Sequence, residues 1–211
     1  MNAVMYWQPF STAMIQNFYA IVFLEQSQKY YGFLLTVWRC RDIIVTNINR
    51  NLEVKHMQIR SFRLEDAEET AQVIAKTLRV SNSKDYTEEY IEFNINSHSA
   101  DELIKASNER HMYVVCEGDR IIGTGGIAGY WGSLTESILL TIFVLPEYQK
   151  KGVGRKIIET LEKDEYFLRA KRIEIPASLT AVDFYRKMGY DYKNGNTEPE
   201  DGLMYRLEKI R

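Results

Sequence analysis

Ile138-Leu139-Leu140-Thr141-Ile142-Phe143-Val144 leads through Leu145-Pro146-Glu147-Tyr148 into Gln149-Lys150-Lys151-Gly152-Val153-Gly154, and from there into Arg155-Lys156-Ile157-Ile158-Glu159-Thr160-Leu161. An apolar run, a glycine turn and a segment with apolar residues at helical spacing read as strand, turn, helix. A helix beginning on two glycines presents unpaired backbone N–H groups and the positive end of its dipole, and the lysines before it add mobile positive charge. The stretch is a socket for a phosphate-type anion.

Two familiar phosphate loops do not fit it. A P-loop needs Lys and then Ser or Thr after its last glycine, where Arg155-Lys156 stand. A dinucleotide fingerprint wants glycine or alanine at the position of Ile157, and an acidic residue ending the next strand. On the fragment alone, a purely structural turn and a site for the pyrophosphate of coenzyme A both remain open.

The chain has 211 residues, 45% of them hydrophobic, which suits one good core and a small appendage. Lys+Arg 27 against Asp+Glu 29 leaves a net charge of -2, so no global field draws it to nucleic acid or an anionic membrane, and any anion site is local. The basic cluster Lys150, Lys151, Arg155, Lys156, with Arg169, Lys171 and Arg172 further on, lacks the interleaved aromatics of a nucleic-acid surface. Cys40 and Cys116 lie far apart without metal-ligand spacing, so neither a metal site nor a disulfide framework is implied. No apolar run approaches the roughly 18 to 20 residues that span a bilayer. Met1 to Leu24 contains no Lys or Arg for a secretory n-region. The expected setting is the cytoplasm, with no membrane partner.

The composition changes at Met57. Residues 1–56 are aromatic, poor in charge and without a sustained period, and three readings stand: an extension lying on the domain, a mobile tail, or sequence upstream of a true start at Met57. Their aromatics would favour pairing into a homodimer if unpacked. From Met57 to Arg211 the pattern is that of one domain. Met57 to Arg63 alternates as a strand, and Ala67, Ala71, Ile74, Ala75 and Leu78 share a helical face that ends at Ser81-Asn82-Ser83. Glu88 to Ile95 and Ala100 to Asn108 are short helices, joined by Ser97-His98-Ser99, suited to substrate choice. His111 to Glu117, Arg120 to Ala128 and Glu136 to Val144 form an antiparallel meander. After the glycine turn, Ile157, Ile158, Leu161 and Leu168 give one long helix a buried stripe, and Arg172 to Ile175 is a strand stopped by Pro176. A right-handed crossover sets that strand parallel to the one ending at Val144. Ala177 to Met188 is a further helix, and Tyr190 to Tyr192 and Leu203 to Leu207 close the sheet.

Val144 to Gly154, joined to Ala181-Val182-Asp183-Phe184-Tyr185-Arg186-Lys187-Met188-Gly189-Tyr190, resembles the GCN5-related N-acetyltransferases (GNAT), over Met57 to Arg211. The first stretch fits the family's Q/R-x-x-G-x-G/A pattern, and the second is similar to its A-x-x-F-Y-x-K-x-G-F/Y element. Where many members carry asparagine three residues before that alanine, this chain has Ser178. The resemblance implies the acyl-CoA N-acyltransferase fold: an α/β (α+β) fold whose mixed, mostly antiparallel twisted sheet is flanked by helices and splayed in a V between its two central parallel strands. It implies acetyl-CoA as co-substrate, with pantetheine on backbone groups of Phe143, Val144 and Leu145. The pyrophosphate would lie over Gln149, Lys150, Lys151, Gly152, Val153, Gly154 and Arg155, with Ser178 and Tyr185 completing the cofactor site.

Acetyl transfer to an amine needs a neutral nucleophile, a donor for the oxyanion and a proton for the leaving thiolate. The resemblance assigns the oxyanion donor to the backbone N–H near Val144 and the thiolate acid to Tyr185, whose other reading is an aromatic on a buried helix face. No metal is implied. The base is not marked: Glu136 lies about 26 Å along the strand from Val144 at ~3.3 Å per residue, Glu174 should face away from Ile173 and Ile175, and His111 reads as structural. Tyr130 and Trp131 suit either an acceptor wall or hairpin packing. The expected activity is transfer of acetyl to a primary amine of a small molecule or protein, in a ternary complex. The alternative keeps the fold but makes the chain a non-catalytic acyl-CoA sensor, which has no need of Tyr185.

Overall fold

The computed structural model describes residues 57–211, so the readings of residues 1–56, Cys40 included, lie outside the described residues. Seven strands form one sheet: β1 (Met57–Ser61), β2 (His111–Glu117), β3 (Arg120–Gly129), β4 (Glu136–Val144), β5 (Arg172–Ser178), β6 (Asp191–Tyr192) and β7 (Met204–Ile210). Their order across the sheet is β1-β2-β3-β4-β5-β7-β6, antiparallel throughout except for the β4–β5 pair. The helices are α1 (Ala67–Thr77), α2 (Glu88–Asn96), α3 (Ala100–Ser107), α4 (Val153–Leu161), α5 (Glu165–Arg169) and α6 (Val182–Lys187). Ile74, Leu78, Ile91, Leu103 and Met112 form a core on the α1–α3 side, while α4 to α6 share a larger core with the strands. Among the described residues no helix is long and apolar enough to cross a membrane.

Helix α4 lies against β3 because β3 gives up its side chains beneath it. A Cβ at Gly125 would stand 2.4 Å from Ile157 Cγ2, well inside van der Waals contact. Val153, Ile157, Ile158 and Leu161 fill that interface and are all buried. The expected single helix, however, is two. Asp164 caps a new start by accepting from the Tyr166 N–H at 2.8 Å, so the helical phase is reset. Phe167 then points inward at 5% exposure and Leu168 outward at 57%, the reverse of the stripe that places Leu168 inside.

The other correction concerns Pro176, which does not end β5 but lies within it, opposite Arg206 of β7. The Arg211 N–H donates to the Lys171 carbonyl at 2.9 Å, so the pairs in phase with Lys171 exchange bonds with β7, whereas Arg172, Glu174 and Pro176 turn their N–H positions toward β4. On that side the parallel ladder holds only Glu136↔Arg172, Ser137↔Ile173 and Ile138↔Glu174. The next donor in phase is Pro176, which has none. Immediately beyond, β4 bulges: Thr141 and Ile142 together oppose Gly125, with Thr141 at a φ of 55°. A missing donor on one strand and a bulge on the other end the ladder, and the two strands part in the expected V.

Gly125→Ala should cost about 1–3 kcal/mol, read as a lower urea midpoint. Combining it with Ile157→Ala, which removes the obstructing methyl, should give a loss smaller than the sum of the two single losses. Additive losses would mean that α4 does not rest on Gly125.

Candidate active site

The open V is walled on one side by the free edge of β4. The Leu145 N–H donates to the Ile122 carbonyl of β3 at 3.0 Å, and Phe143 lies opposite Thr124. By strand alternation the amide and carbonyl of Val144, and of Ile142 before it, face the gap, while those of Phe143 and Leu145 are turned to β3. Of the three residues expected to offer backbone groups, the geometry thus directs only Val144 into the gap, and adds Ile142. The Val144 carbonyl accepts from Thr77 Oγ1 and Gln149 Nε2, each at 3.2 Å. Gln149 Nε2 also donates to Ser81 Oγ at 2.8 Å, tying the start of the glycine turn to the end of α1.

Beyond Val144 a single 3-10 turn (Pro146–Tyr148) carries the chain to the glycine turn. Gly152 is the N-cap of α4 with a φ of 87°, a left-handed conformation that costs a residue with a Cβ about 1–2 kcal/mol. No side chain caps the helix, and the Lys156 N–H is already spent on the Gly152 carbonyl. The N–H groups of Val153, Gly154 and Arg155 precede the first intrahelical bond and point out of the helix end. Lys150, Lys151 and Arg155 are exposed around it, with Lys151 Nζ 5.4 Å from the centre of the Tyr148 ring. This is a positive, uncapped helix start. A Cβ at Gly152 would meet open space, whereas one at Gly154 would lie 3.1 Å from Phe184 Cζ. Gly152 is therefore required by the turn and Gly154 by the ring packed on it.

That ring joins the two motifs. Phe184 of α6 covers Gly154, and Tyr185 follows it, with ring centres 5.1 Å apart. Tyr185 is 5% exposed, and burial pushes its phenol well above the ordinary tyrosine range, so it keeps its proton at any physiological pH. Its hydroxyl has no hydrogen-bond partner among the described residues. Ser178 ends β5, and its hydroxyl reaches only Thr180 Oγ1, at 3.4 Å.

The carboxylates near the parallel ladder are committed elsewhere. Glu136 takes both arms of Arg172 at 3.0 and 2.9 Å, where the strands still pair. Glu174 is 1% exposed and bonded to Arg172 at 2.8 Å, Lys193 at 2.7 Å and Arg206 at 3.4 Å. Burial would raise its carboxyl, but these cations hold it below the usual range. Neither is a proton acceptor near neutrality. His111 Nδ1 lies 2.8 Å from Asp164, which also accepts from Tyr113, and the histidine packs on Tyr166 on the α5 side. Tyr130 stacks edge-on with the exposed Trp131 and takes Arg172 over its ring at 4.9 Å. Among the described residues no group of His, Cys, Asp or Glu could hold a metal ion.

Tyr86 has no counterpart in the sequence reading. From the loop before α2 its hydroxyl donates to the Leu203 carbonyl at 2.7 Å and accepts from the Leu179 N–H at 2.9 Å, strapping that loop to the open ends of β5 and β7. Its partners lie 117 and 93 residues away, so no local pattern announces it.

Residues 108–192 match the family profile described as acetyltransferase (GNAT) domain. No curated protein matches the sequence. Among solved structures, the chain is similar to PaiA N-acetyltransferase from Thermoplasma acidophilum, crystallised with coenzyme A, at 22% identity over 74% of this chain and 99% of that one, TM-score 0.64. It is similar to a GCN5-related N-acetyltransferase from Rhodopseudomonas palustris at 23% identity over 74% and 96%, TM-score 0.61. A GNAT-family acetyltransferase from Brucella melitensis, in complex with acetyl-CoA, aligns at 22% identity over 65% and 84%, TM-score 0.51. The architecture of the described residues is the acyl-CoA N-acyltransferase fold that these share.

Tyr86→Phe removes both of its bonds and should lower stability by about 1–2 kcal/mol. Hydrogen exchange at the Leu179 amide should accelerate more than exchange in β2 and β3. Unchanged protection at Leu179 would show that the strap bears no load.

Proposed function

Because the chain carries a GNAT acetyltransferase domain, we propose that it moves an acetyl group from acetyl-CoA to a primary amine of a small molecule or protein, directly, in a ternary complex. The observation that carries this reading is the juxtaposition of a strand pair held open beyond Ile138↔Glu174 with an uncapped helix start at Gly152. A long cofactor with an extended amide arm and a pyrophosphate end suits that pair of features. Coenzyme A in the Thermoplasma relative and acetyl-CoA in the Brucella relative support the same donor here.

In this reading the pyrophosphate rests on the N–H groups at the start of α4, with Lys150, Lys151 and Arg155 screening its charge. The pantetheine arm bonds the gap-facing groups of Val144 and Ile142 as an added strand would, displacing Gln149 from the Val144 carbonyl. A gap-facing amide of β4 polarises the thioester carbonyl, a contact worth roughly 10²- to 10³-fold when the donor is preorganised. The amine nitrogen attacks the carbonyl carbon and sheds a proton, the C–S bond breaks, and the phenol of Tyr185 gives its proton to the departing sulfur. Burial keeps the phenol protonated until the thiolate forms, and the tyrosine regains its proton from solvent once coenzyme A departs.

Acetyl-CoA consumption in the presence of a panel of amines is the direct test. Tyr185→Phe should lower turnover by about 10²-fold or more while leaving coenzyme A affinity, measured by calorimetry, nearly intact. Equal turnover removes Tyr185 from the chemistry. Gly152→Ala should do the opposite, weakening coenzyme A binding by roughly tenfold through the cost of the left-handed turn.

A further inference from the structure

We infer that His98 is the proton acceptor for the incoming amine, a role that rests on the acetyl-transfer reading above and deepens it. His98 lies in the connection between α2 and α3, and its ring stands edge-on to Phe143 with centres 5.4 Å apart and planes at 77°. Phe143 lies between Ile142 and Val144, whose amides face the gap, so the imidazole stands beside the stretch of β4 that the thioester occupies. This is the α1–α3 side of the sheet, the opposite side from α4.

The hydrogen bonding of the ring sets its chemistry. His98 Nδ1 is 2.8 Å from the Asn94 carbonyl, an acceptor only, so Nδ1 carries the proton and donates it. Ser97 Oγ, 3.2 Å from the same nitrogen, is a second neighbour of Nδ1 and leaves Nε2 untouched. Nε2 is then the lone-pair nitrogen, and among the described residues it has no partner. Burial lowers the affinity of the ring for a second proton, the Asn94 bond opposes this, and the charge of Arg110 adds to the lowering. Arg110 is the charged group acting on the ring and is itself fastened to Thr141 Oγ1 at the β4 bulge, 3.2 Å away. Asn94, Ser97 and Phe143 are uncharged. With Nδ1 donating to Asn94 and its affinity for a second proton lowered, the ring offers Nε2 as its basic nitrogen, as a general base requires. Glu136 and Glu174 lack that freedom. In the step, Nε2 takes a proton from the incoming ammonium, directly or through one water, and passes it to solvent; the neutral amine then attacks, its second proton leaves to solvent as the C–S bond breaks, and Tyr185, having protonated the thiolate, regains a proton from solvent.

The variant that isolates this role is His98→Asn, whose side-chain amide stands where Nδ1 stood and keeps the bond to Asn94 while removing Nε2. Rates are measured with acetyl-CoA and two small probe amines, ethylamine, which is protonated at neutral pH, and hydroxylamine, which is largely neutral. With ethylamine, kcat/KM should fall by about 10²-fold or more, and the acid limb of the pH profile should disappear. With hydroxylamine it should change far less, and coenzyme A affinity should hold. In the wild-type protein, the nitrogen NMR shifts of His98 should report a protonated Nδ1 and a bare Nε2 without any substrate. A bare Nδ1, or equal losses with both amines, or no loss with ethylamine in a protein that binds acetyl-CoA, overturns the assignment of His98 alone. A wild-type protein that fails to bind acetyl-CoA overturns the functional reading and the base with it.

Discussion

Everything at the site depends on a parallel ladder that stops after three pairs. Parallel strands left to themselves would go on pairing, since each further residue satisfies backbone groups that otherwise need water. Here both partners are prevented. β5 offers a proline nitrogen where the next donor should be, and β4 spends an extra residue at Thr141 and Ile142 that swings its edge away. The result is a stretch of unpaired strand edge inside a sheet, an arrangement that normally invites another strand. An extended ligand with its own amides is the natural guest, and its register is set by the alternation that turns Ile142 and Val144 outward.

A split ladder alone would not choose its guest. In the proposed reading, choice comes from the helix start placed a short turn beyond it, and that start is built by residues of two separate motifs, Gly152 and Gly154 in one and Phe184 in the other. Gly152 supplies the left-handed turn that lets α4 begin without a capping side chain, so its amides stay unfilled. Phe184 approaches Gly154 so closely that a Cβ there would stand 3.1 Å from its Cζ, which sets α6, and with it Tyr185, against the same helix end. The start of α4 and the Phe184-Tyr185 pair are therefore one packed unit. Glu174 serves the other end of the V: a buried carboxylate held by Arg172, Lys193 and Arg206 fastens β5 to its neighbours at the point where β4 leaves. Removing Glu174 itself would leave Arg172, Lys193 and Arg206 without the carboxylate they share.

How much of this was legible in the sequence depended on range. β2 and β4 carry their own boundaries in apolar runs, and the glycine turn marks the start of α4, so these elements and the expected socket follow from local pattern. The break between α4 and α5 was missed because apolar spacing continues across it, and only the Asp164 cap, a tertiary choice among several acidic residues, resets the phase. Pro176 was visible but misassigned: a proline in a strand reads as a stop unless one knows that its nitrogen faces an edge with no partner. Of Phe143, Val144 and Leu145, strand alternation turns only Val144 to the gap, a consequence of the two-residue period rather than of any hidden feature. Tyr86 and Thr77 act on groups 67 to 117 residues away, and no periodicity encodes such distances.

In the proposed chemistry, environment rather than residue type separates acid from base. Burial acts differently on three ionisable groups, Tyr185, His98 and Glu174. It raises the Tyr185 phenol, which suits the proposed donor; it lowers the His98 imidazole, which suits the proposed acceptor; and in Glu174 it is outweighed by the neighbouring cations, which hold the carboxyl below its usual range. An acid and a base of opposite native state, one beside the α4 start and one on the α1–α3 side of β4, permit the proton lost by the amine and the proton gained by sulfur to move on different sides of the sheet. Neither group must then wait for the other to reset, and a direct transfer can proceed without a covalent enzyme intermediate.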